Sequence, residues 1–293
     1  MEIKKLLFVT KFEELWYDAL NSLLDLKKTS LNHVVLLNVI ERDNVALHRG
    51  TGYRKKEEIK LREKANIRFI DWAENLFEQG LEVGAYIVVG SLVSQVITAA
   101  EKEAVDLIVI GRSKKGKLEQ LFSGSDITEI IRRSSKPVLV YKHISPDATA
   151  KEHLFSRPLI AMDWSPASLR AIKLMRELKG IISEVNVIHV ADEKDLNGDS
   201  AMGAQKTRKE ARRRLEDVCA ALEADGIQVR THVYIGDTVA EIEKAGRECQ
   251  ASMIVAGTSA KGVWIERWIG STPQSLAEDG DFPVLLIPPL AKT

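Results

Sequence analysis

Two glycine-led segments of this 293-residue chain contain the residue types that bind phosphate groups. One runs Gly-Arg-Ser-Lys-Lys-Gly-Lys from Gly111, and the other runs Gly-Thr-Ser-Ala-Lys-Gly-Val from Gly257. Each is followed by a Gly-Ser pair, at Gly124 and at Gly270, where a helix is predicted to begin. Free backbone N–H groups at a helix start, with a serine hydroxyl beside them, can bind an anion. The serines could equally serve only as helix caps, so the residues alone leave both interpretations open.

Other kinds of chemistry find little support in the sequence. There is no Gly-x-Gly-x-x-Gly after the first strand, no P-loop and no Gly-x-Ser-x-Gly nucleophile motif. The six histidines lack the spacing of metal ligands, and His189 is predicted to pack at the end of a strand. The carboxylates are spread too evenly to nominate an acid/base pair, and no positioned base for hydrolysis can be identified.

The chain contains an internal repeat, which determines how these segments are positioned. Val39 and Val190 are equivalent positions near the start of each copy, and they lie 151 residues apart. The equivalent positions that follow them lie 146 residues apart. The copies therefore differ by five residues between the second strand and the first of those positions. A constant spacing of this kind indicates two similar domains in tandem. The pairs with the spacing of 146 residues are Gly90 and Gly236, Gly111 and Gly257, Gly124 and Gly270, and Pro137 and Pro283.

Each copy alternates short apolar runs with amphipathic helices. Strands that are apolar throughout are typical of a parallel sheet with helices on both faces, and strand–helix alternation favours right-handed βαβ units. The sequence therefore predicts an α/β fold with two doubly wound, five-stranded parallel sheets of strand order 3-2-1-4-5. We expect a first domain at 1–144, a polar linker at 145–156 and a second domain at 157–293. In the first copy the predicted strands are 3–9, 33–40, 84–89, 106–110 and 137–141, and the predicted helices are 13–26, about 56–79, 92–103 and 125–133.

Ligands of such sheets bind outside the carboxyl ends of the strands, where the direction of winding reverses. This places a site at the ends of strands one, two and four of each copy. In the second copy strand one ends at Asp163, and strand four runs directly into Gly257. An Asp after strand one, then Gly-x-x-Gly, nine residues and Gly-Ser/Thr, resembles the pattern of the universal stress protein family. The resemblance extends along essentially the whole chain, as a tandem member with two such domains.

The two copies match the family pattern to different degrees. In the second copy Asp163, Gly257, Gly270 and Ser271 fall in register, and Ala260 replaces the second glycine. An added methyl there costs about 1 kcal/mol if the backbone has a positive φ. In the first copy Gly111, Gly124 and Ser125 match, but Lys114 replaces the second glycine and Lys11 replaces the Asp. These lysines could neutralise phosphate or could fill the site. Losing the acid and the glycine together favours a first copy that is only a structural partner.

The resemblance implies that the second domain binds an adenine nucleotide, ATP or AMP, with Mg²⁺ carried by the ATP phosphates. It implies a stress-response protein and at most slow ATP hydrolysis or autophosphorylation. The alternative is an interaction or scaffold protein of the same fold whose pockets are closed by side chains. The implied ligand-binding residues are Met162, Asp163, Val190, Ala256, Gly257, Thr258, Ala260, Gly270, Ser271 and Thr272.

Composition and charge restrict the partners. The chain has 42 basic and 42 acidic residues, so the net charge predicts no attraction to nucleic acid. No apolar run approaches the ~18 residues of a membrane span, and no signal peptide is visible at the N-terminus. Cys219 and Cys249 lack metal or disulfide spacing. Together these features predict a cytoplasmic protein.

The last strand of each copy and one aromatic pair raise the question of protein contacts. Family members commonly dimerise through the last strand, so the resemblance implies that the two copies pair as an internal pseudo-dimer. Association of whole chains into a homodimer is left open. Trp264 and Trp268 stand at i, i+4, and they pack against their own domain or form a docking surface, since tryptophan is enriched at interface hot spots.

Overall fold

The structure is a computed structural model that describes residues 2–11, 15–45, 53–112, 124–142, 153–191, 201–258 and 270–289. The chain divides into two compact units, one of Ile3–His143 and one of Ile144–Thr293 with Met1–Glu2. Of the predicted linker, only 153–156 belong to the described part. Within the described part, no helix is both long enough and apolar enough to span a bilayer.

The first unit is a parallel sheet with helices, as predicted for the α/β class. Its strands pair in the order β3-β2-β1-β4-β5, and every pairing between them is parallel. The strands are β1 (Lys5–Val9), β2 (His33–Glu41), β3 (Glu82–Gly90), β4 (Leu107–Arg112) and β5 (Val138–Lys142). The helices are α1 (Leu15–Ser22), α2 (Arg42–Val45), α3 (Lys55–Glu78), α4 (Leu92–Lys102) and α5 (Gly124–Arg133), with a 3-10 turn at Leu24–Lys28.

The second unit repeats this arrangement. Its strands pair in the order β10-β9-β6-β7-β8, again all parallel. The strands are β6 (Pro158–Ala161), β7 (Glu184–Ala191), β8 (Gln228–Ile235), β9 (Met253–Gly257) and β10 (Val284–Ile287). The helices are α6 (Pro166–Glu177), α7 (Ala201–Ala224), α8 (Thr238–Glu248) and α9 (Ser271–Glu278), with a 3-10 turn at Lys179–Ile181.

The strands form the core of each unit because helices cover both faces of each sheet. Leu6, Leu7 and Phe8 are consecutive in β1 and all fully buried, which requires apolar neighbours on both sides of the sheet. The same holds for Leu159 and Ile160 in β6. Each such side chain contributes roughly 1.5–3 kcal/mol when it leaves water. The buried core of each unit therefore fixes the position of the carboxyl ends of these strands.

The predicted helix at 13–26 is not continuous, which corrects one expectation from the sequence. α1 ends at Ser22, and a 3-10 turn takes over at Leu24. The Ser22 hydroxyl donates to the carbonyl of Ala19 at 2.7 Å, within the last turn of the helix. Serine competes in this way with the helical ladder. The carbonyl of Leu26 then accepts from several following amides and ends the segment.

A buried carboxylate fixes the start of α3. Glu58 accepts hydrogen bonds from Arg62 Nε at 2.7 Å, the Tyr53 hydroxyl at 2.7 Å and Lys55 Nζ at 3.0 Å. The bond from Arg62, followed by those from Tyr53 and Lys55, lowers the pKa of Glu58 to about 2. Arg62 also donates through Nη1 to the carbonyl of Ile87 at 2.6 Å. Since Ile87 belongs to β3, the cluster joins the helix to the sheet.

Candidate functional site

A cavity of about 230 Å³ lies at the carboxyl ends of the strands of the second unit. This is the edge at which open parallel sheets bind ligands. Of the ten residues predicted to bind a ligand, those that line the cavity are Met162, Asp163, Val190, Ala256, Gly257, Gly270, Ser271 and Thr272. The further lining residues are Ala161, Ile188, His189, Thr238, Ile242 and Pro273.

Of the predicted site residues in the described part of the chain, Thr258 is not among those that line the cavity. Thr258 is buried, and its backbone N–H donates to the carbonyl of Ile287 at 2.8 Å. Its hydroxyl donates to the same oxygen at 3.4 Å. Thr258 therefore joins the ends of β9 and β10. Ala260 lies outside the described residues, as do Trp264 and Trp268, so their roles stay predictions.

Asp163 stands at the rim of the cavity, just before α6. Its Oδ1 accepts from the backbone N–H of Ser165 at 3.0 Å, and the residue as a whole is exposed. Ser165 caps α6, since its Oγ accepts from the N–H of Ser168 at 3.1 Å. Pro166 follows as the first helical residue, where its fixed φ suits the helix. The local sequence Asp-Trp-Ser-Pro thus orients the carboxylate at the cavity without burying it.

His189 contributes more than the packing that the sequence predicted. Its Nδ1 donates to the carbonyl of Met162 at 2.8 Å, and a carbonyl can only accept, so Nδ1 carries the proton. The imidazole ring of His189 packs on the ring of Trp164, with centroids 4.0 Å apart. The guanidinium of Arg214 lies over the same Trp164 ring, 3.8 Å from its centroid. These contacts hold the chain segment on either side of Asp163.

The backbone of Trp164 shows how firmly this segment is held. Trp164 has a φ of 58°, in the left-handed region that a bulky side chain rarely adopts. Such a conformation costs of the order of 1–3 kcal/mol and persists only when surrounding contacts impose it. The stack with His189 and Arg214 provides those contacts. No motif in the sequence identifies this stack, because its members come from β7, α7 and the loop between β6 and α6.

The first unit offers an internal precedent for testing the His189 bond. There Asn38, at the matching position of β2, donates through Nδ2 to the carbonyl of Thr10 at 2.9 Å. We expect His189→Ala to lower the free energy of unfolding by about 1–3 kcal/mol, since it removes a hydrogen bond and an aromatic contact. His189→Asn should recover the part of this free energy that comes from the hydrogen bond, because asparagine can donate to the same carbonyl. Urea denaturation of both variants measures this; equal losses in the two would show that the bond contributes nothing.

The start of α9 lines the same cavity as Asp163 and favours an anion. Gly270 precedes the helix with φ −58° and ψ 154°, and Ser271 and Thr272 are its first residues. The first amides of a helix have no carbonyl partner within it, and they form the positive end of the helix dipole. The first turn of α9 contains no acidic residue. This end can therefore accept a negatively charged group.

Gly257 has a structural role that the sequence did not reveal. A Cβ at this position would lie 2.8 Å from the backbone N of Ser168 and 2.9 Å from the Cβ of Ala167. Both contacts belong to the first turn of α6. The glycine therefore allows α6 to pack directly on the end of β9, whether or not a ligand also approaches it.

The equivalent edge of the first unit differs in charge. Lys11, which replaces the Asp, places its Nζ 2.9 Å from Oε1 of Glu41 at the end of β2. The helix that matches α9 is α5, which begins at Gly124 and carries Asp126 in its first turn. A carboxylate at that end repels a second anion. Lys114 lies outside the described residues. The described part of this edge is thus less suited to phosphate than that of the second unit.

Comparison with known protein families shows which family the two units belong to. The model of the universal stress protein family matches two regions, residues 2–142 and 155–288. The chain belongs to the universal stress protein family and contains two of its domains, so the resemblance found in the sequence is confirmed.

Within the described residues, no group of three His, Cys, Asp or Glu side chains is placed to hold a metal ion.

Individual relatives cover either one domain or the whole chain. A universal stress protein of Methanocaldococcus jannaschii is 33% identical over 153 residues, which span 47% of this chain and 94% of that protein. A second one from the same organism is 27% identical over 142 residues, 46% of this chain and 84% of that protein. The crystal structure of a universal stress protein from Archaeoglobus fulgidus has a TM-score of 0.72 at 23% identity and covers 98% of this chain and 99% of its own. The last likeness shows the tandem fold.

Proposed function

We propose that the second domain binds an adenine nucleotide, ATP or AMP, and that the protein acts as a nucleotide-responsive stress protein and not as an enzyme. The observation that carries this proposal is the cavity that Asp163 and the start of α9 both line. It brings together an exposed carboxylate and a helix start that favours anions. The family pattern in this copy indicates a nucleotide, which could bind both the carboxylate and the helix start.

The lining divides naturally between the parts of such a ligand. Met162, Val190 and Ala256 provide an apolar surface at the ends of three neighbouring strands, as a purine base requires. The Asp163 carboxylate can accept hydrogen bonds from a ribose hydroxyl or an amino group. The amides and hydroxyls of Ser271 and Thr272 can hold phosphate oxygens. Mg²⁺ would be bound mainly by the phosphates and water, as is usual for this ion.

We propose a structural role for the first domain. Its Lys11 ammonium already pairs with Glu41, and its α5 start carries Asp126. A phosphate there would have to compete with one carboxylate for the lysine and to approach another. Pairing of the two domains through their last strands stays a prediction from the family resemblance.

The proposal is tested by titrating purified protein with ATP and with AMP in a calorimeter. We expect one site per chain and a raised melting temperature, because a ligand at 100 times its Kd stabilises the folded state by about 2.7 kcal/mol. Nucleotide released by acid precipitation of freshly purified protein would agree with this. Neither heat nor thermal stabilisation with either nucleotide would favour the scaffold alternative.

A further inference from the structure

Helix α3 of the first domain carries an exposed apolar stripe. Ile59, Ile67, Ile70 and Phe77 are 44%, 63%, 57% and 75% exposed. At 3.6 residues per turn, Ile59, Ile70 and Phe77 lie within about 20° of one line along the helix, and Ile67 lies within about a quarter turn of it. The stripe extends over about 27 Å at 1.5 Å per residue. We call these four residues the α3 stripe.

The α3 stripe is separate from the face by which the helix packs on its own sheet. The buried apolar residues Ala65, Phe69, Trp72 and Leu76 lie on average roughly 130° around the helix from the stripe. The helix thus has one apolar face for the core and, turned to solvent, a second row of large apolar side chains with polar residues between them. A helix that packs against the core alone requires a single apolar stripe.

The second domain shows that the fold does not require the α3 stripe. α7 is the equivalent helix, 146 residues later, and its buried face is matched: Ala211 and Leu215 stand at the positions of Ala65 and Phe69. The positions that match the stripe are polar or charged and exposed. In the order of the stripe residues they are Gln205, Arg213, Glu216 and Glu223.

The charges along α3 indicate what covers the stripe. Residues 55–66 contain five basic and three acidic side chains, whereas residues 67–78 contain one basic and three acidic ones. The two halves therefore carry net charges of +2 and −2. A second α3 laid parallel would bring like charges together, and one laid antiparallel brings opposite charges together. An anionic membrane surface would require a basic polar face along the whole helix, which this helix lacks.

We propose that the α3 stripe is the contact surface for a second copy of this chain, with the two α3 helices packed antiparallel about a two-fold axis. The surface is then self-complementary, as a two-fold dimer requires. With the axis near residue 68, Ile59 lies opposite the partner's Phe77. Lys60 lies between the partner's Glu74 and the partner's Glu78, and Lys64 lies opposite the partner's Asp71. These oppositely charged pairs outnumber the like-charged pair of Glu63 and the partner's Glu74. This contact does not depend on nucleotide binding.

The first test measures the mass in solution by sedimentation equilibrium. We expect the wild-type chain of 32.7 kDa to form a dimer of about twice that mass, and the double variant Ile70→Glu/Phe77→Glu to be monomeric. These substitutions install the residues that α7 carries at the same positions, so the variant should fold, which its thermal melting curve checks. The matched control Glu216→Gln/Glu223→Gln on α7 should leave the mass unchanged. A monomeric wild type, or a dimer that survives the α3 variant, would overturn the proposal.

The second test examines the charge pairing directly. Lys56→Glu/Lys60→Glu makes both halves of α3 acidic, and Glu74→Lys/Glu78→Lys makes both halves basic. Each variant alone should be monomeric, and an equimolar mixture should form a dimer that weakens as salt is added. Dimers of either variant alone, or a mixture that stays monomeric, would contradict the antiparallel contact.

Discussion

Replacing Asp163 with alanine is expected to weaken ATP binding by roughly 10- to 150-fold, which corresponds to the 1.5–3 kcal/mol of a hydrogen bond to a charged group. The carboxylate is exposed at the cavity and is oriented by the N–H of Ser165. It can therefore meet a ligand without a change in the fold. Isothermal titration of the variant with ATP measures the loss.

Two further variants make this result specific to the second domain. Asp163→Asn keeps the size of the side chain and one acceptor oxygen, so it should retain more affinity than alanine. Lys11→Ala alters the matching position of the first domain, where the ammonium pairs with Glu41, and should leave ATP affinity unchanged. If Lys11→Ala abolished binding and Asp163→Ala did not, the assignment of the site to the second domain would be overturned.

Gly257→Ala is expected to lower both the stability of the protein and its affinity for nucleotide. The new methyl would press on the backbone N of Ser168 at 2.8 Å and on Ala167, so the first turn of α6 must move. Overpacking of this kind costs typically 1–3 kcal/mol. Because Asp163 lies three residues before this helix and is bonded to the N–H of its cap residue Ser165, displacement of the helix should carry the carboxylate away from the cavity. Chemical denaturation and ATP titration of one preparation measure both effects.

Gly226→Ala is the matched control in the same domain. Gly226 has a φ of 81°, and an added Cβ would meet nothing within 4 Å. The substitution should therefore cost roughly 1 kcal/mol of backbone strain and leave ATP affinity unchanged. Equal loss of affinity in the two variants would show that general destabilisation, and not the movement of α6, is responsible.

The fold could be predicted largely because the repeat supplied each landmark twice. Strand β6 is apolar throughout and β1 is apolar after Lys5, and the order of the strands follows from the alternation of strands and helices. The break at Ser22 could not be predicted, since it depends on a hydroxyl that bonds to the preceding turn. Helical periodicity continues through such a break and does not register it.

The sequence predicted the residues of the candidate site that lie at the ends of strands. It did not predict the features that depend on contacts between distant parts of the chain. Asp163, Gly270 and Ser271 follow from motif spacing, and the structure brings them to one cavity. The stack joins His189 of β7 to Trp164 of the loop after β6. The positive φ of Trp164 cannot be recognised from the residue type, because tryptophan rarely adopts it. The family resemblance placed Thr258 among the ligand-binding residues, and in the structure its hydroxyl bonds to the end of β10.

A crystal of the whole chain soaked with ATP measures the central claim most directly. The account predicts one nucleotide per chain, with its base and ribose beside Asp163 and its phosphates at the amides of Ser271 and Thr272. Nucleotide beside Lys11 in the first domain, or a cavity that stays closed to it at saturating ATP, would contradict the account.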